Sequence, residues 1–316
     1  MTNAIEVADL VKIYGPLRAV DGISFAVERA EVVGFLGPNG AGKSTAMKII
    51  SGFLEPTSGQ AFIEGYDSHT QPIEARRRLG YLPEGAPAYA DMSVADFLGF
   101  IAGMHGMSKR QAADRLAELV ERIDLADVWN QRIDSLSKGF KRRVGIAQAL
   151  VHDPDVLILD EPTDGLDPNQ KHDMRELIRS IAPQKAIVIS THILEEVEAV
   201  CTRAIIIAKG RMLADATPAE LLARPQDAGA VAITIATGDP RRAIELISVQ
   251  PGISKVDVAE RVNGVTRLLV HAPQSRPTAA ELAGILRRSD IAVAEMFVQR
   301  VSLDDVFRQI TNGAEN

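Results

Sequence analysis

Short runs of β-branched and other apolar residues recur along the first 220 residues, bounded by glycine, proline or aspartate. Such runs predict strands. They lie at 4–11 and 22–36, broken by turns at Tyr14-Gly15-Pro16 and Asp21-Gly22, and then at 62–65, 156–160, 186–190 and 204–208. Helical patterns, the first at 43–52, lie between the later runs. Strands that alternate with helices predict a parallel sheet covered on both faces.

Residues 91–152 have a different pattern, because apolar residues there follow the helical period almost throughout. Ser93 and Ser108 are each followed three residues later by Asp or Gln, a pairing that predicts a capped helix start. The block interrupts the series of strands. We therefore predict a helical subdomain inserted into an α/β body.

The C-terminal part repeats the alternation on a smaller scale. Thr217 and Pro218 predict a helix start that ends the α/β body, and residues 223–230 predict a linker. Beyond it we expect strand, helix, strand, strand, helix, strand and helix at 230–236, 239–250, 253–259, 265–271, 277–289, 292–298 and from Ser302, with an Asn263-Gly264 turn joining the paired strands. This βαββαβ order is typical of a ferredoxin-like fold. The predicted domains are residues 1–225 and 226–316.

Composition limits the classes of function. The 316 residues include 35 basic and 42 acidic ones, and the net charge of −7 argues against a nucleic-acid partner. The single cysteine, Cys201, excludes an internal disulfide and favours a reducing compartment. The longest stretch without charged residues, Phe97–Ser108, is far shorter than the about 20 residues that span a membrane. The N-terminus has no signal-peptide pattern, so any membrane role is expected to need a partner.

Residues 37–45, GPNGAGKST, fit the phosphate-loop pattern G-x-x-x-x-G-K-[ST]. Backbone amides must approach a polyphosphate closely there, and a helix N-terminus adds positive charge. Lys43 is expected to reach the β- and γ-phosphates of a bound nucleotide, and Ser44 to bind Mg²⁺. The loop is predicted to bind the nucleotide through Gly37, Pro38, Asn39, Gly40, Ala41, Gly42, Lys43, Ser44 and Thr45. A glycine turn that binds nothing is the alternative, and the preceding apolar strand and following helix disfavour it.

The run VLILDEP at 156–162 is an apolar strand that ends in two carboxylates. Asp160 is expected to hold Mg²⁺, directly or through water. Glu161 is the predicted general base for the attacking water. Two solvated turn carboxylates are the alternative, which the neighbouring phosphate loop disfavours.

Further motifs occur in a fixed order around these two. They are KIYG at 12–15, LSKGF at 136–140, DGLDP at 164–168 and STH at 190–192. Together with the phosphate loop and the strand carboxylates, they resemble the motifs of ABC transporter ATP-binding subunits. The resemblance covers about residues 4–220. It implies a P-loop NTPase fold of the α/β class with an inserted helical subdomain, to which the C-terminal unit adds a small α+β domain.

The resemblance also implies roles for single residues. Tyr14 would stack on adenine, although packing in the core is an alternative. Two ATPase domains would pack head to tail, so that Ser137 and the Gly139 amide contact the γ-phosphate held by the partner. His192 would contact the γ-phosphate in its own chain, with a structural histidine as the alternative. ATP and Mg²⁺ are the implied cofactors.

Three departures from the family pattern stand out. The signature has Lys138 and Phe140 where the family has Gly and Gln, but it keeps the serine and glycine that contact phosphate. Glu84 stands where most members have a glutamine, and a carboxylate there can still accept from a metal-bound water. We therefore expect Glu84 near Mg²⁺. Asp164 replaces a serine for no reason visible in the sequence.

The segments GYLPE at 80–84 and SLDDVF at 302–307, with LSKGF, resemble one branch of this family. That branch contains the ATPase subunits of exporters with separate six-helix permeases, including the gliding-motility and daunorubicin-type subunits. The resemblance implies an integral membrane permease and a second ATPase subunit, identical or homologous, as partners. It also implies a peripheral location at the cytoplasmic face of the membrane.

Two other classes remain open at this point. One is a soluble ABC ATPase without a permease, acting on ribosomes or DNA. The other is a regulatory nucleotide-binding module without turnover, which Glu161 and His192 disfavour. Because the permease selects what is transported, the sequence does not determine the substrate.

Overall fold

The computed structural model describes residues 3–86, 88–222, 230–236, 240–262, 265–272, 277–298 and 303–313. The chain divides into two compact units, one ending at Pro218 and the other covering Ala219–Gly313. The predicted linker falls almost wholly outside the described residues. The predicted domain boundary after residue 225 lies in that gap and stays a prediction.

The first unit begins with an antiparallel sheet whose strands are ordered β2-β1-β4-β5. The elements of this part are β1 (Ile5–Tyr14), β2 (Leu17–Val27), β3 (Val32–Leu36), α1 (Lys43–Ile50), β4 (Ser58–Ile63), β5 (Tyr66–Asp67), α2 (Pro72–Arg76) and β6 (Leu79–Leu82). The predicted break at Asp21-Gly22 is wrong. Gly22 is the unpaired residue of a bulge within β2, where its φ of +71° lets the strand continue.

The inserted block is helical, as predicted. It contains α3 (Val94–Met104), α4 (Lys109–Ile123) and α5 (Lys138–Leu150). The caps predicted at Ser93 and Ser108 are confirmed, since each hydroxyl accepts the backbone N–H three residues later. Ser137 caps α5 in the same way by accepting from the amide of Phe140. The signature serine therefore begins the helix that connects the block to the body.

The rest of the unit completes a second sheet with the order β10-β9-β3-β8-β7-β6. Its further elements are β7 (Val156–Asp160), α6 (Pro168–Ile181), β8 (Ala186–Thr191), α7 (Leu194–Val200), β9 (Arg203–Ala208) and β10 (Arg211–Ala216). The short helix α8 (Pro218–Leu222) begins at the boundary between the two units. Strands β9, β3, β8, β7 and β6 are parallel, and β10 is antiparallel to β9. The expectation of one parallel sheet is therefore wrong for the N-terminal strands. The two-residue turn after Tyr14 is too short for a parallel crossover.

The core of this unit lies between the two sheets and around α1. Phe35 and Ile158 from the parallel strands, Met47 and Ile50 from α1, and Ile5 from the antiparallel sheet are all buried there. Every residue of β3, β7 and β8 is buried, which explains why these strands are continuous apolar runs. This packing holds the first turn of α1 against the carboxyl ends of the parallel strands.

The second unit has a four-stranded antiparallel sheet, counted over the described residues, with the order β12-β13-β11-β14. Its elements are β11 (Val231–Ile235), α9 (Arg241–Ser248), β12 (Lys255–Val262), β13 (Val265–His271), α10 (Ala279–Arg288), β14 (Val293–Val298) and α11 (Leu303–Gly313). Ile233, Leu268 and Leu282 form its core with neighbours on α9 and α10. The Asn263-Gly264 turn and Ser302 lie outside the described residues. No helix within the described ranges is long and apolar enough to cross a membrane.

Candidate functional site

A cleft of about 820 Å³ lies at the carboxyl ends of the central parallel strands. This edge is where α/β sheets bind ligands, because helix N-termini and strand-end loops meet there. Most of the predicted site residues line it, namely Tyr14, Asn39, Gly40, Gly42, Lys43, Ser44, Thr45, Glu84, Glu161 and His192. Tyr14 and His192, which are 178 positions apart in the chain, are thus brought to one cavity.

The phosphate loop needs glycine at two positions. A Cβ on Gly37 would lie 2.3 Å from the carbonyl oxygen of Ile207, and one on Gly42 would lie 2.2 Å from that of Ala19. Gly42 also has φ +103°, a conformation that residues with side chains rarely adopt. The Ala41 amide donates to the Pro38 carbonyl at 3.1 Å and closes the loop. Close packing against β9 and β2 therefore explains the glycines.

Lys43 is buried within this loop. Its Nζ donates to the carbonyl oxygens of Gly37 (2.7 Å) and Pro38 (3.2 Å) and lies 4.0 Å from Oε1 of Glu161. Burial lowers the pKa of Lys43, and the carboxylates of Glu161 and Asp160 oppose that effect. The ammonium group is thus held by backbone dipoles at the base of the cleft.

Asp160 ends β7 and is fully buried. Its Oδ1 accepts from the hydroxyls of Ser44, at 3.4 Å, and Ser190. Its Oδ2 has no hydrogen-bond partner within the described part of the chain. A buried carboxylate oxygen without a partner is costly unless a ligand completes it. The alternative of a solvated turn carboxylate therefore does not fit Asp160.

Glu161 is held in a left-handed conformation with φ +48°. Its amide donates to the carbonyl and the hydroxyl oxygen of Ser190, both at 3.1 Å. Its Oε1 lies 3.2 Å from Nδ1 of His192, and its side chain is 15% exposed. Strain at a non-glycine residue persists where neighbours determine the conformation, and it concentrates at functional sites. The strand-end turn thus directs this carboxylate toward the cleft and the histidine.

Tyr14 lines the cleft, and the residue is 44% exposed. Lys12 Nζ lies 5.2 Å from the ring centroid. Packing in the core, the alternative for Tyr14, is inconsistent with this exposure. The free ring face suits stacking on a planar base.

The signature residues lie elsewhere. Ser137 and Gly139, at the start of α5, are not among the described residues that line the cleft. A Cβ on Gly139 would lie 2.9 Å from the side chain of Gln170 on α6. The structure therefore does not unite the signature with the phosphate loop of the same chain.

Several residues at the site lie outside the set predicted from the sequence. Arg18 and Lys209 line the cleft and add positive charge to it. Ser190 contacts both Asp160 and Glu161, although it stands in the STH segment quoted for its histidine. Arg18 and Lys209 lie in no motif. Only the assembly of separate strands brings them to the cleft.

Arg142 gives a physical context to two departures from the family pattern. It is only 7% exposed, and its Nη1 has no partner in the described ranges. Burial lowers the pKa of its guanidinium, and the carboxylates of Asp164 and Glu84 most strongly oppose this. Both carboxylates line the cleft. A buried cation thus lies near the extra negative charge that these residues bring.

Known proteins similar to this chain include ATP-binding subunits of ABC transporters. A family model described as "ABC transporter" matches residues 20–164. The Nod factor export ATP-binding protein I of Paraburkholderia xenovorans (strain LB400) is 34% identical over 309 residues, covering 98% of this chain and 97% of that protein. A solved structure described as "Structure of ATP binding subunit of ABC transporter" matches with a TM-score of 0.64 and 33% identity. That match covers 70% of this chain and 92% of the other.

A third relative is longer than this chain. The probable multidrug ABC transporter ATP-binding protein YbhF of Escherichia coli (strain K12) is 37% identical over 223 residues. The match covers 70% of this chain but only 38% of that protein. This chain therefore spans well under half of YbhF.

Proposed function

Since the chain belongs to the family of ABC transporter ATP-binding subunits, we propose that it binds and hydrolyses ATP and thereby drives a separate membrane permease. The observation that carries the proposal is the meeting of Lys43, Ser44, Glu161 and His192 in one cleft. A phosphate loop, a metal-binding hydroxyl and a general base are the parts that phosphoryl transfer to water requires.

The residues around Asp160 fit Mg²⁺. Its buried Oδ2 lacks a partner among the residues described, and the Ser44 hydroxyl lies 3.4 Å from its Oδ1. Both are oxygen donors, which Mg²⁺ prefers, and we propose that Ser44 and Asp160 hold it with Glu84 nearby. When bound, the ion neutralises charge on the β- and γ-phosphates. No group of three or more His, Cys, Asp or Glu suited to a metal occurs in the described residues.

We assign the proton transfer to Glu161. Its carboxylate accepts a proton from the attacking water, and His192, 3.2 Å away, orients that carboxylate and contacts the γ-phosphate. Lys43 exchanges its loop carbonyls for phosphate oxygens, which gives a buried cation a stronger partner. Tyr14 stacks on the adenine.

The position of the signature supports a dimer. Ser137 and the Gly139 amide form a helix N-terminus with a hydroxyl, a combination that binds anions. Because neither lines the cleft of its own chain, we propose that each contacts the γ-phosphate bound by a second ATPase subunit. Two copies of this chain are the simplest arrangement. ATP then closes the dimer and hydrolysis opens it.

A second cavity of about 560 Å³ lies between the helical block and the body, and we assign it to the permease. Phe53, Tyr89, Phe100 and Met104 line it with exposed apolar surface. An apolar groove of this kind fits the apolar face of a helix from a partner protein. We propose that it receives a cytoplasmic segment of the permease and so holds the chain at the inner face of the membrane.

The transport direction rests on the relatives. The names of two of them contain "multidrug" and "Nod factor export". We propose that this chain also serves an exporter, in the branch whose ATPase and permease are separate chains. The exported molecule is determined by the permease.

The test measures ATP turnover of the purified full chain with Mg²⁺. The wild type is expected to hydrolyse ATP, whereas Glu161→Gln is expected to bind ATP and form a stable dimer but lose at least about 100-fold in turnover. Glu118→Gln, at an exposed position of α4, is the matched control. Glu161→Gln with turnover near the wild-type rate would remove Glu161 as the base.

The permease is tested separately. Chain purified from detergent-solubilised membranes is expected to carry an integral membrane protein with it. Phe100→Asp and Met104→Asp in the groove are expected to release that protein while ATP turnover by the isolated chain persists. If the chain instead copurifies with ribosomes or DNA, it is a soluble ABC ATPase without a permease.

A further inference from the structure

Glu196 is a buried carboxylate that none of the motifs accounts for. It lies on α7 and is 4% exposed. Each of its oxygens accepts one hydroxyl: Oε1 from Thr163, and Oε2 from Thr191 at 2.7 Å. These hydroxyls come from two segments that are 28 residues apart in the chain. The carboxylate thus bridges the ends of two neighbouring parallel strands.

Both segments carry a residue assigned to hydrolysis. Thr163 follows Glu161 by two residues after the end of β7, and Thr191 immediately precedes His192 at the end of β8. Oε1 of Glu161 and Nδ1 of His192 are 3.2 Å apart. The Thr191 hydroxyl also accepts the amide of Ile193 at 3.0 Å, which orders the turn after the histidine.

The bridge lies outside the cleft. Among the described residues that line the cleft, Glu161 and His192 are present, but Thr163, Thr191 and Glu196 are not. A change in the bridge therefore removes no residue that lines the cleft. It acts on the separation and orientation of the two side chains in front of it.

Stability alone does not explain this group. A buried carboxylate loses hydration, and replacing a buried polar group and all its partners with apolar groups of similar shape is often neutral or stabilising. A role in fixing local geometry explains why a carboxylate occupies this buried position. Two hydroxyl bonds to one rigid carboxylate hold two separate strand ends at one spacing, which a looser apolar contact does not achieve.

We propose that Glu196 is a positioning residue for ATP hydrolysis, which holds Glu161 and His192 in register through Thr163 and Thr191. The inference rests on the proposed function, since it concerns the same reaction. Glu196 itself contacts neither the water nor the phosphate. Its contribution is to kcat, because a displaced base costs turnover even when ATP binds normally.

The decisive variant replaces the bridge as a whole. The triple variant Thr163→Val, Thr191→Val and Glu196→Leu removes both hydroxyls and their acceptor together, so neither a hydroxyl nor the carboxylate is left without its partner. Only the part-buried amide of Ile193 loses its acceptor, the Thr191 hydroxyl. We expect the full chain to keep its melting temperature and KM for ATP and to lose roughly 10- to 100-fold in kcat. A purely structural residue would lower stability and activity together.

Conservative variants provide the rescue. Thr163→Ser and Thr191→Ser keep the hydroxyl and are expected to retain kcat within about threefold, whereas each single valine variant lowers it. Glu195→Gln is the matched control, because Glu195 precedes Glu196 on the same helix but is 82% exposed. It is expected to leave kcat, KM and melting temperature unchanged.

ATP turnover by the wild-type protein distinguishes failure of the proposed function from failure of the role of Glu196. No ATP turnover by wild-type protein refutes the proposed function itself. Wild-type turnover with an equally active triple variant refutes the role of Glu196 alone, as does a loss of kcat that appears only with a raised KM and a lowered melting temperature. If the triple variant does not fold, the Thr191→Val and Thr191→Ser pair decides: equal kcat in both overturns the inference.

Discussion

Both units of this chain consist of strands and helices, but they differ in where their polar groups lie. In the first unit, parallel strands β3, β7 and β8 all end at one edge, where Lys43, Asp160, Glu161 and His192 converge. In the second unit every pair of neighbouring strands is antiparallel, so strand ends alternate between two edges. Parallel topology collects chemistry at one place, and antiparallel topology disperses it.

Charge shows the same contrast. In the first unit Asp160 is fully buried, and Lys43 nearly so. In the second, Lys255 pairs with Asp257, and Arg267 lies near Glu260 and Glu295, all with substantial solvent exposure. Exposed ion pairs contribute little to stability, whereas buried polar groups need a specific partner. The first unit therefore has groups that a ligand completes, and the described surface charges of the second are already solvated.

The strongest test replaces one lysine in each unit with alanine. Lys43→Ala is expected to weaken ATP binding on the order of a hundred-fold, because a buried cation that contacts the phosphates is lost. Lys255→Ala, in the second unit, is expected to leave binding unchanged. Calorimetric titration with ATP measures both. Equal affinities in the two variants would contradict the assignment of the phosphate loop.

A second test concerns the signature at the start of α5, which lies apart from the cleft of its own chain. Ser137→Arg is expected to keep ATP binding by the isolated subunit but to reduce turnover on the order of a hundred-fold, since it blocks a donor to the partner's phosphate. A mixture with Lys43→Ala forms dimers in which one site carries both defects and the other carries neither. Partial recovery of ATPase activity means independent sites, and none means that both must act together. Full activity of Ser137→Arg alone would refute the shared site.

A smaller effect is the pH dependence of stability that two histidines in the groove of the first unit cause. His152 stacks on His105, with ring centroids 3.7 Å apart, and burial followed by the charge of His105 lowers the pKa of His152 to about 4. The pKa of His152 in the folded protein lies below the ordinary value of about 6.5. The stability that the buried neutral His152 contributes is therefore full above pH 6.5 and is lost as pH falls toward 4. At pH 5 the loss is about 2 kcal/mol.

The corresponding variant is His152→Gln, which keeps a donor near the Leu79 carbonyl, 3.1 Å from Nε2 in the wild type. We expect its first unit to lose less stability than the wild type between pH 7 and 5. Denaturant unfolding at both pH values measures this, with His172→Gln, on the surface of α6, as the control. Parallel losses in wild type and His152→Gln would show that burial of His152 does not contribute.

The smallest effect is expected from removing residues 226–316, which contain most of the second unit. Residues 1–225 contain every residue that lines the cleft, and we expect their ATP affinity to stay within about twofold of the full chain. Nucleotide binding and sedimentation of both forms test this. A truncated chain that folds by circular dichroism but does not bind ATP would contradict the independence of the units. Loss of ATP-dependent dimerisation alone would make the second unit an assembly element.

Local signals predicted much of this molecule. The apolar runs that became β7, β8 and β9 were found within a residue or two, and the caps at Ser93 and Ser108 were found from three-residue spacing. The phosphate-loop residues were found because they are consecutive in the sequence. The bulge at Gly22 was misread as a turn, because a glycine after aspartate has the same composition in both.

The amino-acid sequence by itself determined the phosphate loop, the strand-end carboxylates, the helical insertion and the family of this chain, because each depends on neighbouring residues. Only the tertiary structure decided that β1 and β2 form a separate antiparallel sheet, that Arg142 lies near Glu84 and Asp164, and that Glu196 bridges Thr163 and Thr191. Two of these relations join residues far apart in the chain, since 58 positions separate Arg142 from Glu84 and 33 separate Glu196 from Thr163. Their partners are chosen by strand order and burial, which no local pattern encodes.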